Sequence, residues 1–230
     1  MKEPFKILGI NGSPRKANTD ILLDAALAAA KAAGPAIETE VIYLRKEDIR
    51  YCVGCFRCNE VNGRVSGCQV HADAMERLAP VLREADGIIV ASPVYFGGVT
   101  AQLKTFMDRT QSFLRYTPAP RTAMLRNKVG AAVTVGGNRN GGQEATIQGI
   151  HHFFMIHDMI VVGTGPNVQP GCYLGAGAFS GADPRQGSRV TSAVEADELG
   201  MRAAAIIGQR VAEMVALVGG KTERRELLSR

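Results

Sequence analysis

Cys52, Cys55, Cys58 and Cys68 place four of the chain's five cysteines within seventeen residues, in the spacing C-x2-C-x2-C-x9-C. Thiols two residues apart can converge on one side of a tight loop. A short excursion can then return a fourth and complete a tetrahedral set of soft ligands. Such a set suits an iron–sulfur cluster or zinc, held by thiolates rather than locked in disulfides. Zinc has the weaker case, because the second C-x-x-C pair of common zinc ribbons is absent. His71, three residues beyond Cys68, reads as a surface residue near a helix start or as a spare ligand. Cys172 stands alone and reads as a free thiol. His151, His152 and His157 fall on one predicted helix with no carboxylate motif, which points to structural or interface roles.

A second group of residues suits an anion. Phe5 to Asn11 reads as a buried strand, and Gly12-Ser13-Pro14-Arg15-Lys16-Ala17-Asn18-Thr19-Asp20 turns from it into a helix. The free amides at that helix start attract negative charge. Ser13, Asn18 and Thr19 can add hydrogen bonds to phosphate oxygens, and Arg15 a charge-assisted contact. The loop is neither G-x-G-x-x-G nor G-x-x-x-x-G-K-[ST]. Tyr43-Leu44-Arg45 also puts no acid at the end of the second strand to hold a dinucleotide ribose. A terminal monophosphate therefore fits better than a pyrophosphate. The competing reading is that Ser13 and Thr19 merely turn the chain and cap the helix.

Two further loops follow strands. Ser92-Pro93-Val94-Tyr95-Phe96-Gly97-Gly98 offers apolar backbone, an aromatic pair and two glycines, a combination suited to a flat, partly apolar ring with a polar rim. Gly136-Gly137-Asn138-Arg139-Asn140-Gly141-Gly142 permits close backbone approach to a ligand, or else is a solvent loop before a helix.

The elements that must position these residues alternate along the chain. Strands are expected at Phe5 to Asn11, Glu38 to Tyr43, Gly87 to Ser92, Lys128 to Val135 and Met159 to Gly163. Helices are expected at Thr19 to Ala33, Asp73 to Glu84, Gln102 to Leu114, Gly142 to His157 and Glu195 to Val218. The pattern predicts an α/β fold: a five-stranded, doubly wound parallel sheet of flavodoxin-like order 2-1-3-4-5, with ligands beyond the strands' carboxyl ends. The whole chain, 1–230, reads as one such domain. It carries a cysteine-rich insertion at 44–72, a long Gly/Pro-rich loop at 164–194, and a final helix with a basic tail at 195–230.

At 230 residues and 46% hydrophobic, the chain can bury a sizeable core. No signal peptide and no membrane span are visible, so clustered free thiols point to a reducing cytoplasm. The net charge of +5 lies partly in the tail, where Lys221, Arg224, Arg225 and Arg230 outnumber Glu223 and Glu226. That tail reads as a solvated helix end, or as a docking surface for an acidic electron-transfer partner. No nucleic-acid module is present.

GINGSPRKANT, SPVYFGG with LKTFMDR after it, and GGNRNGGQEATIQ resemble the NADPH-dependent FMN reductase group of flavodoxin-like proteins. With CVGCFRC between the first two, the chain is most similar to the iron–sulfur flavoprotein family, from about Phe5 to Gly163. The resemblance implies FMN, its phosphate held by Ser13, Arg15, Asn18 and Thr19. Its isoalloxazine would lie between Pro93, Val94, Tyr95, Phe96 and Gly97 on one side and Gly136, Gly137 and Asn138 on the other. It further implies a [4Fe-4S] cluster on Cys52, Cys55, Cys58 and Cys68, and homodimers or homotetramers with the flavin near a subunit interface. The gap of nine residues before Cys68 is longer than the family's usual one. The expected function is an FMN-dependent oxidoreductase passing electrons between cluster and flavin to a small acceptor, with ferredoxin or NAD(P)H as donor. The alternatives are a cluster-free NAD(P)H-dependent FMN or quinone reductase, and a non-enzymatic electron carrier. No general acid or base is evident.

Overall fold

Apolar residues run without alternation through β1 (Phe5–Asn11), β3 (Gly87–Pro93) and β6 (Val129–Gly136), because these strands are covered on both faces. In β2 (Ile37–Tyr43) buried and exposed positions mix, as its edge position allows. The computed structural model describes residues 4–59, 67–115, 122–167, 173–181 and 193–219. Within them the main sheet runs β2-β1-β3-β6-β7, where β7 is Ile160–Val161, and every pairing is parallel.

Successive side chains point to opposite faces, so each strand feeds two cores. Ile7, Ile89, Ala131 and Val133 pack with Leu22 and Leu23 of α1 (Asn18–Ala32) and Ile207 and Val211 of α5 (Glu198–Gly219). Leu8, Ile10, Ile88 and Val90 form the other core. They meet Leu78 of α2 (Met75–Glu84), Leu103 and Phe106 of α3 (Ala101–Arg109), and Phe154 of α4 (Gln143–Ile156). Each such Val, Leu, Ile or Phe side chain, fully buried, stabilises the fold by roughly 1.5–3 kcal/mol. A separate antiparallel pair joins β4 (Leu114–Arg115) to β5 (Thr122–Ala123).

The expected order of the first five strands is the observed one. The strand count differs: β8 (Ala176–Phe179) pairs with β6 as a sixth strand, inside the stretch read as a long loop. Val129 and Gly130 of β6 pair with β7, while its last four residues, Val133 to Gly136, pair with β8. One edge position is thus filled in two pieces. Ala-Gly-Ala-Phe is too short and too small-chained to read as a strand, and its pairing comes from the unpaired edge that β7 leaves on β6. Asp197 secures it, accepting from Phe179 N at 2.7 Å and from Gly200 N at 3.1 Å, and so caps α5 as well. Cys172, the basic tail and most of the nine-residue gap before Cys68 lie outside the described residues.

Candidate functional site

Three loops meet at the carboxyl edge of β1, β3 and β6. The first is built by Asn11, whose Oδ1 accepts from Ser13 N at 2.8 Å and whose Nδ2 donates to Asp20 at 2.9 Å. Ser13 Oγ donates to Arg15 O at 2.8 Å and accepts from Arg15 N at 3.2 Å, which is the turn-forming half of the competing reading of this loop. Arg45 grips Asp20 with two hydrogen bonds, 3.0 and 2.8 Å long, tying the loop to the end of β2. Ala17 supplies no side-chain cap to α1, which leaves the helix start to backbone amides that can face an anion. Thr19 is buried there, Arg15 is exposed, and Asn18 uses its side-chain oxygen to accept from Val194 N at 2.9 Å.

The second loop leans on the first. Gly12 N donates to Ala91 O at 2.8 Å, while Gly12 O accepts from Thr100 Oγ1 at 2.7 Å and Gln102 Nε2 at 2.9 Å. Pro93 ends β3, and Val94 N donates to Val135 O at 2.9 Å. Tyr95 and Gly98 exchange backbone hydrogen bonds of 2.9 and 3.0 Å, with Phe96 (φ 49°) and Gly97 (φ 74°) at the tip. A phenylalanine at positive φ costs about 1–2 kcal/mol, and this one is fully exposed.

The third loop, Gly136 to Gly142, is organised by Gln143. Its Oε1 accepts from Gly141 N at 2.9 Å, and its Nε2 donates to Asn138 O at 2.6 Å and to Ala178 O of β8 at 3.3 Å. Gly136 O accepts from Ser180 N at 2.9 Å, a second brace from the β8 segment. Gly142 sits at φ 105°, and a Cβ there would lie 2.8 Å from Gly97 Cα. The second and third loops therefore touch at two glycines.

The cysteines form a separate centre. After β2 the chain passes a three-residue 3-10 turn, Leu44–Lys46, and enters the insertion, whose two stems are zipped together. Ala74 N donates to Asp48 O at 3.1 Å, Arg50 N to Asp73 at 3.1 Å, and Arg77 pairs with Glu47. Cys52, Cys55, Cys58 and Cys68 all line one cavity of about 80 Å³, together with His71, Arg109 and Gln111. Among the described residues no three metal-binding side chains close on a single ion.

Burial pushes the Cys58 thiol above its ordinary value; a backbone hydrogen bond opposes the rise, and the charges of Cys68, Cys52 and Cys55 add to it. A thiolate set that repels itself is stabilised by the cations of a metal group. Around the same cavity, Gln111 Nε2 and His71 Nε2 are buried without a hydrogen-bond partner among the described residues. Two unpaired nitrogens beside a thiol cavity fit a group that carries sulfur acceptors. His71, expected at the surface or as a spare ligand, thus borders the thiol centre. A larger groove, about 650 Å³, is lined by residues of α3 and α4 together with Cys52 and Gly98 of the second loop.

Asp20, Arg45, Gln102, Gln143 and Asp73 with Arg109 organise these centres and were not singled out from sequence. An acid directly after the Asn-Thr helix start and an amide directly after a glycine run were the available signals. His157 has the structural role expected of it, bonding Thr110 Oγ1 at 2.8 Å while burial pushes its pKa down to about 4.

Sheet order and edge loops together define a flavodoxin-like α/β protein built to hold a mononucleotide. A solved WrbA-like flavodoxin from Agrobacterium tumefaciens shares this fold, with a TM-score of 0.56 at 17% identity over 94% of this chain and 99% of that one. Residues 5–169 match the family described as NADPH-dependent FMN reductase. An iron–sulfur flavoprotein of Methanocaldococcus jannaschii is 44% identical over 93% of this chain and 99% of its own. One from Methanosarcina thermophila is 45% identical over 69% of this chain and 78% of its own. The chain belongs to the NADPH-dependent FMN reductase family and, within it, to the iron–sulfur flavoproteins. It is thereby an FMN-dependent oxidoreductase.

Proposed function

We propose that the chain carries FMN at the three-loop edge and a [4Fe-4S] cluster at the thiol cavity, and passes electrons between them to a small acceptor. The observation that carries this reading is the convergence of all four cysteines on one cavity, beside a groove that Cys52 and Gly98 both line. Ser13, Thr19, Asn18 and Arg15, with the amides opening α1, would hold the FMN phosphate. Backbone from Pro93 to Gly97 and from Gly136 to Asn138 would flank the ring, Val94 and Tyr95 adding apolar cover. Bound there, FMN supplies one- or two-electron chemistry and the cluster one-electron chemistry, while the protein supplies position and electrostatics.

The same residues support a reading of donor and setting. The groove beside Gly98 can admit NAD(P)H or a quinone-sized acceptor, and exposed Val53 and Phe56 at the thiol centre can meet a ferredoxin. Exposed Phe96, Met155 and Ile156 favour a homodimer or homotetramer. Free clustered thiols suit a cytoplasmic location. Among the described residues no helix is long and apolar enough to cross a membrane.

Anaerobic purification with iron and sulfide assays, visible spectra and electron paramagnetic resonance tests the reading. About four irons and four sulfides per chain beside one flavin are expected. Flavin without iron would leave a cluster-free NAD(P)H-dependent reductase. The absence of both would end the redox account.

A further inference from the structure

Asp73 and Arg109 form an ion pair whose side chains are each 2% exposed. Their contacts reach both stems of the cysteine insertion. Arg109 Nη2 donates to Asp73 Oδ1 at 3.0 Å, and Nη1 donates to Asp73 Oδ2 and, at 2.6 Å, to Arg50 O. Asp73 also accepts from Arg50 N and Met75 N, both at 3.1 Å. The pair therefore fastens the residue two before Cys52, and the stem five after Cys68, to the last residue of α3.

The guanidinium does more than fasten. It lines the thiol cavity with all four cysteines, and lines a second cavity of about 290 Å³ with Cys68. Burial pulls its pKa down, yet the bond to Asp73, the charge of Asp73 and then the charges of Cys68 and Cys52 raise it overall. It is thus a permanent cation in a poorly solvated place, within electrostatic reach of two of the ligands. A fixed positive charge favours the more negative of two redox states, and net local charge is one of the levers that set a cluster's potential.

We infer that Arg109 is a positioning residue for the thiol centre that also raises the reduction potential of the cluster held there, with Asp73 setting how much of that charge the cluster experiences. This rests on the cluster reading above. A purely mechanical clasp would behave differently: either substitution would loosen the same stems, and both would move the potential the same way or not at all.

The test is a redox titration followed by electron paramagnetic resonance on the anaerobically purified full chain, with iron and sulfide counted first. The proteins compared are the wild type, Arg109→Gln, Arg109→Lys and Asp73→Asn. At the wild-type midpoint, Arg109→Gln should shift the reduced-to-oxidised ratio at least tenfold toward oxidised, which is about 59 mV for one electron. Asp73→Asn should shift it the opposite way, and Arg109→Lys should stay within about threefold of wild type, since it keeps the charge. Shifts of the same sign, or none in either neutral variant, would overturn the inference while leaving the cluster intact. Should Arg109→Gln bind no iron, an unshifted or lowered potential in Asp73→Asn overturns it. Loss of iron from both neutral variants would reduce the pair to a scaffold and overturn it too. A wild type without iron would overturn the cluster reading and this inference together.

Discussion

The three-loop edge proposed for the flavin, hereafter the flavin edge, and the thiol centre both follow strands of the same sheet, yet they are built by opposite means. The flavin edge is made of backbone at the ends of strands whose residues are almost wholly buried. Its loops brace one another through Gly12, Gln143 and the Gly97–Gly142 contact. The thiol centre has only three-residue 3-10 turns between β2 and α2 among its described residues, and Tyr51, Val53 and Phe56 are exposed around it. A buried ion pair fastens it, together with the hydrogen bonds and the Arg77–Glu47 pair along its stems. A site made of strand ends is formed by folding itself, whereas a site made of ligands is completed by what it binds.

Substitutions can break that comparison or sharpen it. The largest effect is expected from Cys58→Ser: iron and sulfide fall to background while one FMN per chain remains, as assays and the flavin spectrum will report. Loss of flavin as well would show that the two regions are not independent. Asp73→Ala leaves Arg109 buried without its partner and should lower stability by about 3–5 kcal/mol in denaturant unfolding. Hydrogen exchange should locate the loosening in the stems, not in the strands.

A pH effect should come from between the two regions, where His157 joins α4 to Thr110. Burial holds its folded pKa at about 4 against an ordinary 6.5. The unfolded chain therefore takes up a proton there that the folded chain refuses. Stability from this residue is full above pH 6.5 and is lost as pH falls from there toward 4, on the order of 3 kcal/mol in all. His157→Gln should remove that part of the slope. The smallest effect is Gly142→Ala, which combines positive φ with a clash against Gly97. FMN affinity should fall by about 1–3 kcal/mol in a fluorescence titration, with iron content unchanged.

The same contrast explains what could be read in advance. Strand order, both core-facing patterns and the three loops follow from apolar runs and glycine punctuation, which are local signals. The four cysteines announced themselves by spacing. Arg109 did not: it lies 36 residues from Asp73, inside a helix where an arginine is ordinarily exposed. Only folding brings it against the thiols. Asp20 and Arg45 are a similar case, 25 residues apart and joined by the turn of the sheet. Nor could β8 be recognised, since four small residues acquire their strand identity from the partner edge.

That divided edge bears on how the protein comes apart. The piece contributed by β8 is held by four residue pairings to β6, by Asp197, and by Ala176 and Ala178, both fully buried in the core shared with α5. Any displacement of it would cost Gln143 its bond to Ala178 O and Gly136 its bond from Ser180 N, and so would slacken the loop expected to flank the flavin ring. The margin of the sheet, and not only its centre, would then bear on how well the loop proposed for the flavin ring keeps its shape.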